Sequence, residues 1–135
     1  MQIEQYLEHS NFLADINNER ALKNQTYKEN LEKLERFVMY LFEDDETVIP
    51  KETAWFAEVN GTEVIDLRKR SIYRDDWLGL KALDKKGALK FKKTPGGHMS
   101  LSDKLLEKVF KENYGPYGRT FDQAVEEQYS FQQEL

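Results

Sequence analysis

Residues 36–42 read Arg-Phe-Val-Met-Tyr-Leu-Phe, a short and nearly unbroken apolar run that stops at four consecutive acids, Glu43-Asp44-Asp45-Glu46. A run this short and apolar suits a strand buried on both faces, as in a parallel sheet covered by helices. The fold class it implies is α/β. In open sheets of that class, functional groups gather at the carboxyl ends of the strands, so the acids that close this run are the first candidates for chemistry.

The flanking sequence supports the same class. Residues 1–10 are Glu-rich and compatible with a helix start or a loop. Phe12, Leu13 and Ile16 form an apolar anchor before a turn at Asn17-Asn18. From about Thr26, the positions Tyr27, Leu31, Leu34 and Phe37 share one helical face. Thr26 is the expected N-cap, with Glu29 as its capping-box partner and Asn24 just outside the helix. Trp55–Val59 and Glu63–Leu67 flank Asn60-Gly61-Thr62, a hairpin signal built on Asn-Gly. Ser71–Leu83 reads as a loop and a short helical segment broken at Gly79. Asp84–Gly87 is a turn. Ala88–Lys93 alternates like a strand, and Thr94-Pro95-Gly96-Gly97 ends it and delivers His98. Ser102 caps a closing helix whose buried stripe is Leu105, Leu106, Val109 and Phe110. Residues 1–114 then form the folded part, and 115–135 a polar, weakly helical tail.

Composition narrows the functions open to such a chain. A net charge of −5 disfavours a general nucleic-acid binder, which must neutralise phosphates. The basic cluster Arg68-Lys69-Arg70 is flanked by acids and reads as a solvated turn. There are no cysteines, which excludes disulfides, thiolate metal sites and cysteine nucleophiles. With two histidines placed as these are, no metal is expected, and no cofactor is implied. No stretch approaches the roughly 18 apolar residues of a membrane span. The first residues lack the apolar core of a signal peptide, and the N-terminus reads as the middle of a domain. Asn24-Gln25-Thr26 and Asn60-Gly61-Thr62 match the N-glycosylation pattern. Both make glycan acceptors only if the protein enters the secretory route.

The residues that could carry chemistry are Asp45, after one strand, and His98, after another. Taken singly, each is compatible with an ordinary solvated loop. Together they match the order of α/β-hydrolase triads: Ser, then Asp or Glu, then His. A hydroxyl nucleophile needs an imidazole to take its proton. A carboxylate fixes the imidazole tautomer and stabilises the imidazolium that forms. Gly96-Gly97 lets the backbone bring His98 to the site. Trp55, Phe56, Tyr73 and Trp77 lie where aromatic residues are usually core, an acyl groove being the alternative. His9 is read as structural.

Five stretches together resemble the C-terminal part of palmitoyl-protein thioesterases. They are His9–Arg20, Tyr27–Leu31, Arg36–Met39 leading to Pro50, Trp55-Phe56, and Leu78–Asp84 continuing to Gly97–Ser102. The resemblance implies the C-terminal part of an α/β-hydrolase fold that removes palmitate from cysteine thioesters, with S-palmitoylated proteins or peptides as substrates and a lysosomal location. It places the catalytic acid in a family Asn-Asp pair matched by Asp44-Asp45, hence on Asp45 with Asp44 as fallback, and the base on His98. It also suggests Thr47 and Val48, with Ile49, as acyl-chain contacts. The sequon at Asn24 lies one inserted residue from a family glycosylation position. Asn60 has no family counterpart, and another family sequon is lost because Glu8 precedes His9.

Two departures stand out. No Gly-x-Ser-x-Gly elbow occurs in the 135 residues. Ser100 and Ser102 lack the glycines and the strand-to-helix turn of a nucleophile. The segment from Gly115 also differs from the family's short apolar ending. The expectation is a thioesterase whose serine lies in a missing N-terminal portion of the hydrolase domain, which this chain would need as a partner. The alternative is a non-catalytic fragment or interaction module on the same scaffold.

Overall fold

A computed structural model describes residues 3–114. The elements run α1 (Ile3–His9), α2 (Leu13–Ile16), α3 (Gln25–Glu32), β1 (Phe37–Phe42), a 3-10 turn (Lys51–Trp55), β2 (Glu58–Asn60) and β3 (Glu63–Ile65). A second 3-10 turn (Leu67–Lys69) leads to α4 (Ser71–Arg74), α5 (Leu80–Lys85), β4 (Leu89–Thr94) and α6 (Asp103–Asn113). The chain divides into two compact units, the first ending at Ser100 and the second beginning at Leu101. The expected tail, 115–135, lies outside the described residues.

In the first unit β1 and β4 pair in parallel, in register from Phe37↔Leu89 to Phe42↔Thr94. The mixture of helices with a parallel pair is that of the α/β class. On β1, Met39, Leu41 and Phe42 are buried and Phe37, Val38 and Tyr40 half-buried, so the apolar run is sheltered on both faces. Met39 joins Leu67, Ile72, Leu78, Leu80, Leu83, Ala88 and Leu89 in one core. Leu67, Leu80 and Leu83 are buried almost completely, each worth about 1.5–3 kcal/mol of transfer free energy. Trp55, Phe56, Tyr73 and Trp77 pack against this core. Trp55 also stands edge-on to Phe91 and donates from Nε1 to the Met39 carbonyl.

Several local expectations are corrected. The cap of α3 is Asn24, not Thr26: its side chain accepts from the Thr26 and Tyr27 N–H groups. A cap two residues earlier takes Glu29 out of capping-box position. The helix ends at Glu32, before Leu34 and Phe37. Phe12, Leu13 and Ile16 are exposed, and the buried residues of that region are Ala14 and Asn18. Asn18 sits at φ +55, a left-handed conformation that asparagine tolerates. It donates from Nδ2 to the carbonyls of Asn24 and Trp77 and accepts from the Asn24 N–H.

The hairpin forms but is shorter than its apolar pattern. Trp55 closes a 3-10 turn and Phe56 is left-handed at φ +60, so pairing begins only at Glu58. Gly61, at φ +63, takes the first loop position. Within the basic cluster Arg68 pairs with Asp84 and Arg70 with Glu58.

In the second unit Ser102 caps α6, accepting from the Leu105 N–H. Leu105 is the buried member of the expected stripe, while Phe110 is exposed and tilts against Tyr114. Periodicity tells which residues share a helix face; it does not tell whether that face is covered. Among the described residues, no helix is long and apolar enough to cross a membrane.

Candidate active site

Because β1 and β4 are parallel neighbours in register, their carboxyl ends lie side by side and deliver two loops to one place. The ladder runs one step past the strands, with the Glu43 N–H donating to the Thr94 carbonyl at 2.9 Å. Asp45 follows on one side and His98 on the other.

Asp45 Oδ2 lies 2.9 Å from His98 Nδ1. Its other oxygen, Oδ1, accepts the backbone N–H groups of Thr47 at 2.9 Å and Val48 at 3.0 Å. One oxygen therefore fixes the acid's own loop while the other meets the imidazole. These contacts hold the Asp45 carboxyl below the usual aspartate range, the His98 bond first and the Val48 N–H next, with partial desolvation opposing. An ionised carboxylate can only accept, so the proton between the two groups sits on Nδ1. That tautomer leaves the Nε2 lone pair to take a proton from elsewhere. Shielding divides the roles in the same way. The Asp45 side chain is 9% exposed and that of His98 41% exposed.

The glycine argument holds for one residue of the two. Gly96 has φ +103, and a Cβ there would stand 2.9 Å from the Ser100 Cβ. At Gly97 the nearest atom to an added Cβ is the Asp44 carbonyl oxygen, at an ordinary 3.7 Å. Met99, next to the histidine, is left-handed at φ +54. Asp44, the fallback acid, accepts from the Gly96 N–H at 3.0 Å.

The remaining candidates are placed as follows. Thr47 and Val48 meet Asp45 through their backbones, and their side chains are exposed, as is that of Ile49. Asn24 and Asn60 are both exposed. His9 is 73% exposed beside Glu8, far along the chain from this site. Among the described residues no group of three His, Asp or Glu side chains is arranged to hold a metal ion.

The family model for palmitoyl protein thioesterase matches residues 1–98, from the first residue through His98. The chain belongs to the palmitoyl-protein thioesterase family. Palmitoyl-protein thioesterase 3 of Dictyostelium discoideum is 50% identical over 100 residues, covering 72% of this chain and 35% of that protein. Palmitoyl-protein thioesterase 1 of Caenorhabditis elegans is 35% identical over 108 residues, covering 78% and 36%. Lysosomal thioesterase PPT2-B of Xenopus laevis is 36% identical over 95 residues, covering 69% and 33%. The chain thus spans about a third of the length of these curated relatives of the thioesterase family.

Sequence reasoning missed three polar arrangements: the buried Asn18, the Asp44–Gly96 bond, and a cluster of Arg68, Tyr73 and Asp84. In that cluster Asp84 takes two bonds from Arg68, at 2.8 and 3.0 Å, and one from the Tyr73 hydroxyl at 2.7 Å. No local spacing signals any of them, because their partners lie elsewhere in the chain or accept through the backbone.

Proposed function

We propose that this chain supplies the acid and base of a thioester hydrolase that removes palmitate from S-acylated cysteines of proteins. The observation that carries the reading is the 2.9 Å contact between Asp45 and His98 at the adjacent carboxyl ends of two parallel strands. In this reading the chain is the C-terminal part of an α/β-hydrolase domain. The nucleophilic serine and the oxyanion-hole N–H groups come from a segment outside these 135 residues.

The chemistry follows from the two side chains. His98 Nε2 takes the serine proton as Oγ attacks the thioester carbonyl, and Asp45 steadies the resulting imidazolium. The C–S bond then breaks and the cysteine thiolate leaves with the proton from Nε2. A water, deprotonated by the same nitrogen, releases palmitate from the acyl-serine. Thr47 and Val48, exposed beside the acid, are proposed contacts for the acyl chain. Asn24 and Asn60 are proposed glycan acceptors, and a lysosomal location is proposed because several relatives bear lysosomal names.

A graft provides the test. The matching third of the Dictyostelium relative is replaced by this chain's residues and assayed on a palmitoyl-cysteine peptide. Asp45→Ala or His98→Ala in the graft should each lower hydrolysis about 10⁴-fold or more. An active graft indifferent to both substitutions would sink the assignment.

A second reading is favoured by the lack of any Gly-x-Ser-x-Gly in the sequence. On that reading the chain is a non-catalytic module on the same scaffold. The thioesterase reading expects an in-frame elbow upstream in the transcript; a supported start at Met1 favours the module. On either reading the 135-residue chain alone should not hydrolyse the peptide.

A further inference from the structure

Beyond Phe42 and Thr94 the parallel ladder changes its acceptor. In a parallel pair, one residue donates its N–H to one neighbour of its partner and accepts at its carbonyl from the other. Phe37 begins that alternation by donating to the Ala88 carbonyl, and Glu43 continues it by donating to that of Thr94. The next bond should run from the Gly96 N–H to the Glu43 carbonyl. Instead Lys51 Nζ donates to the Glu43 carbonyl, and the Gly96 N–H turns to Asp44 Oδ2 at 3.0 Å. Asp44 returns the contact through its own N–H, which donates to the Gly96 carbonyl at 3.1 Å. Residues 44 and 96 are thereby locked to each other twice. Each stands one or two residues from a member of the acid–base pair.

We propose that Asp44 is a positioning residue whose carboxylate replaces a strand carbonyl, clamping Gly96 so that His98 Nδ1 meets Asp45. The proposal rests on reading Asp45 and His98 as an acid–base pair. Position 96 has little freedom to compensate, because its φ of +103 and the nearby Ser100 Cβ confine it to glycine in this one turn. Two peptide bonds separate Gly96 from His98, so a loop released at Gly96 is free to carry the imidazole away from the acid. What the clamp needs is an acceptor, not a charge. Asparagine can serve in place of aspartate, and alanine cannot.

The sequence contains only two histidines, so the imidazole tautomers can be read directly in the full 135-residue chain. Long-range ¹⁵N–¹H spectra are recorded on ring-labelled protein at alkaline pH, where imidazoles are neutral. Exposed His9 provides the solvent reference, and dispersed Leu80 and Leu83 methyl signals report that each variant is folded. His98 is expected to be chiefly Nδ1–H in the wild type and in Asp44→Asn. In Asp44→Ala, and in Asp45→Asn, it should lose that signature and converge on His9. Gly96→Ala, made separately, should give the same loss from the other side of the clamp.

A wild-type tautomer retained in folded Asp44→Ala overturns the proposal. Equal loss in Asp44→Asn overturns it too, by showing that charge rather than the acceptor matters. A His98 that is no different from His9 in the wild type, or unchanged by Asp45→Asn, removes the pair reading and the clamp proposal with it. The acid–base pair survives the first two results and not the last, so the two failures are told apart.

Discussion

Asp45 and Asp84 are built alike and partnered differently. Each carboxylate receives three hydrogen bonds, each is mostly shielded from water, and each is held below the usual aspartate range. For Asp84 the first cause is the Arg68 guanidinium, whose fork also pushes Arg68 up, and the Tyr73 phenol is pushed up by donating to the same carboxylate. For Asp45 the first cause is the bond from His98. A guanidinium keeps its charge at any working pH and the Tyr73 phenol holds its proton more tightly than usual, so the Asp84 cluster exchanges no proton near neutrality. Imidazoles give up and regain protons near neutrality. A depressed carboxylate therefore does not mark a reactive site by itself; the chemistry of its first partner does.

The largest test of that contrast is catalytic. In the graft, Asp45→Ala and His98→Ala should each lower the rate about 10⁴-fold or more, while Asp84→Ala should leave the rate per folded molecule within about a few-fold. A loss at Asp84 as deep as that at Asp45 would break the distinction.

Stability should rank the pair the other way. Asp84→Ala leaves the Tyr73 hydroxyl without its acceptor and releases a two-pronged arginine, and Arg68 is half exposed, which discounts its share. The expected cost is about 1–2 kcal/mol, measured by urea unfolding of the 135-residue chain. A midpoint unchanged by Asp84→Ala would show that the cluster is ornamental.

The acid limb of stability follows from the same shift. Unfolded aspartate titrates near 3.8, and folded Asp84 lies lower. Above that value neither state holds the proton, and the contribution is complete. As pH falls further the unfolded chain takes up the proton first, so stability drops until the folded carboxyl is protonated as well. Asp84→Asn should therefore flatten the dependence below about pH 4 and leave its shape above about pH 5 unchanged. Parallel curves for the two proteins throughout the acid range would mean that Asp84 is not depressed.

How much of this could be read from the sequence depends on where each signal lies. The strand Phe37–Phe42 was legible because burial on both faces leaves an apolar run, and Gly96 announced the turn that brings in His98. The parallel register then makes the carboxyl ends of β1 and β4 neighbours. Asp44 was legible only as an acid, since its bond to Gly96 depends on a ladder that exists only after folding. Sequence alone does not separate Thr26 from Asn24 as the cap, since the rule accepts both residue types and Asn24 presents its side-chain acceptor two residues earlier. Arg68 and Asp84 lie 16 residues apart, beyond any helical or strand spacing, and only the packing of α4 against both the second 3-10 turn and α5 unites them. Asn18 was legible only as one half of an Asn-Asn turn, since its burial and its bonds to Asn24 and Trp77 exist only after folding.

The smallest expected effect separates charge from geometry in the Asp84 cluster. Arg68→Lys keeps a cation beside Asp84 and above the Phe91 ring, over which the guanidinium now sits at 5.0 Å from the centroid. It loses the fork, so one of the two bonds to Asp84 disappears while the Tyr73 bond remains. The cost should be about 0.5 kcal/mol, below that of Asp84→Ala, because an ammonium is a single, strongly hydrated point charge. The acid limb should keep most of its depth, since a neighbouring cation still favours ionised Asp84. If Arg68→Lys instead cost as much as Asp84→Ala, the cluster would depend on the planar fork rather than on opposite charge. It would then differ from the Asp45–His98 pair in geometry as well as in proton chemistry.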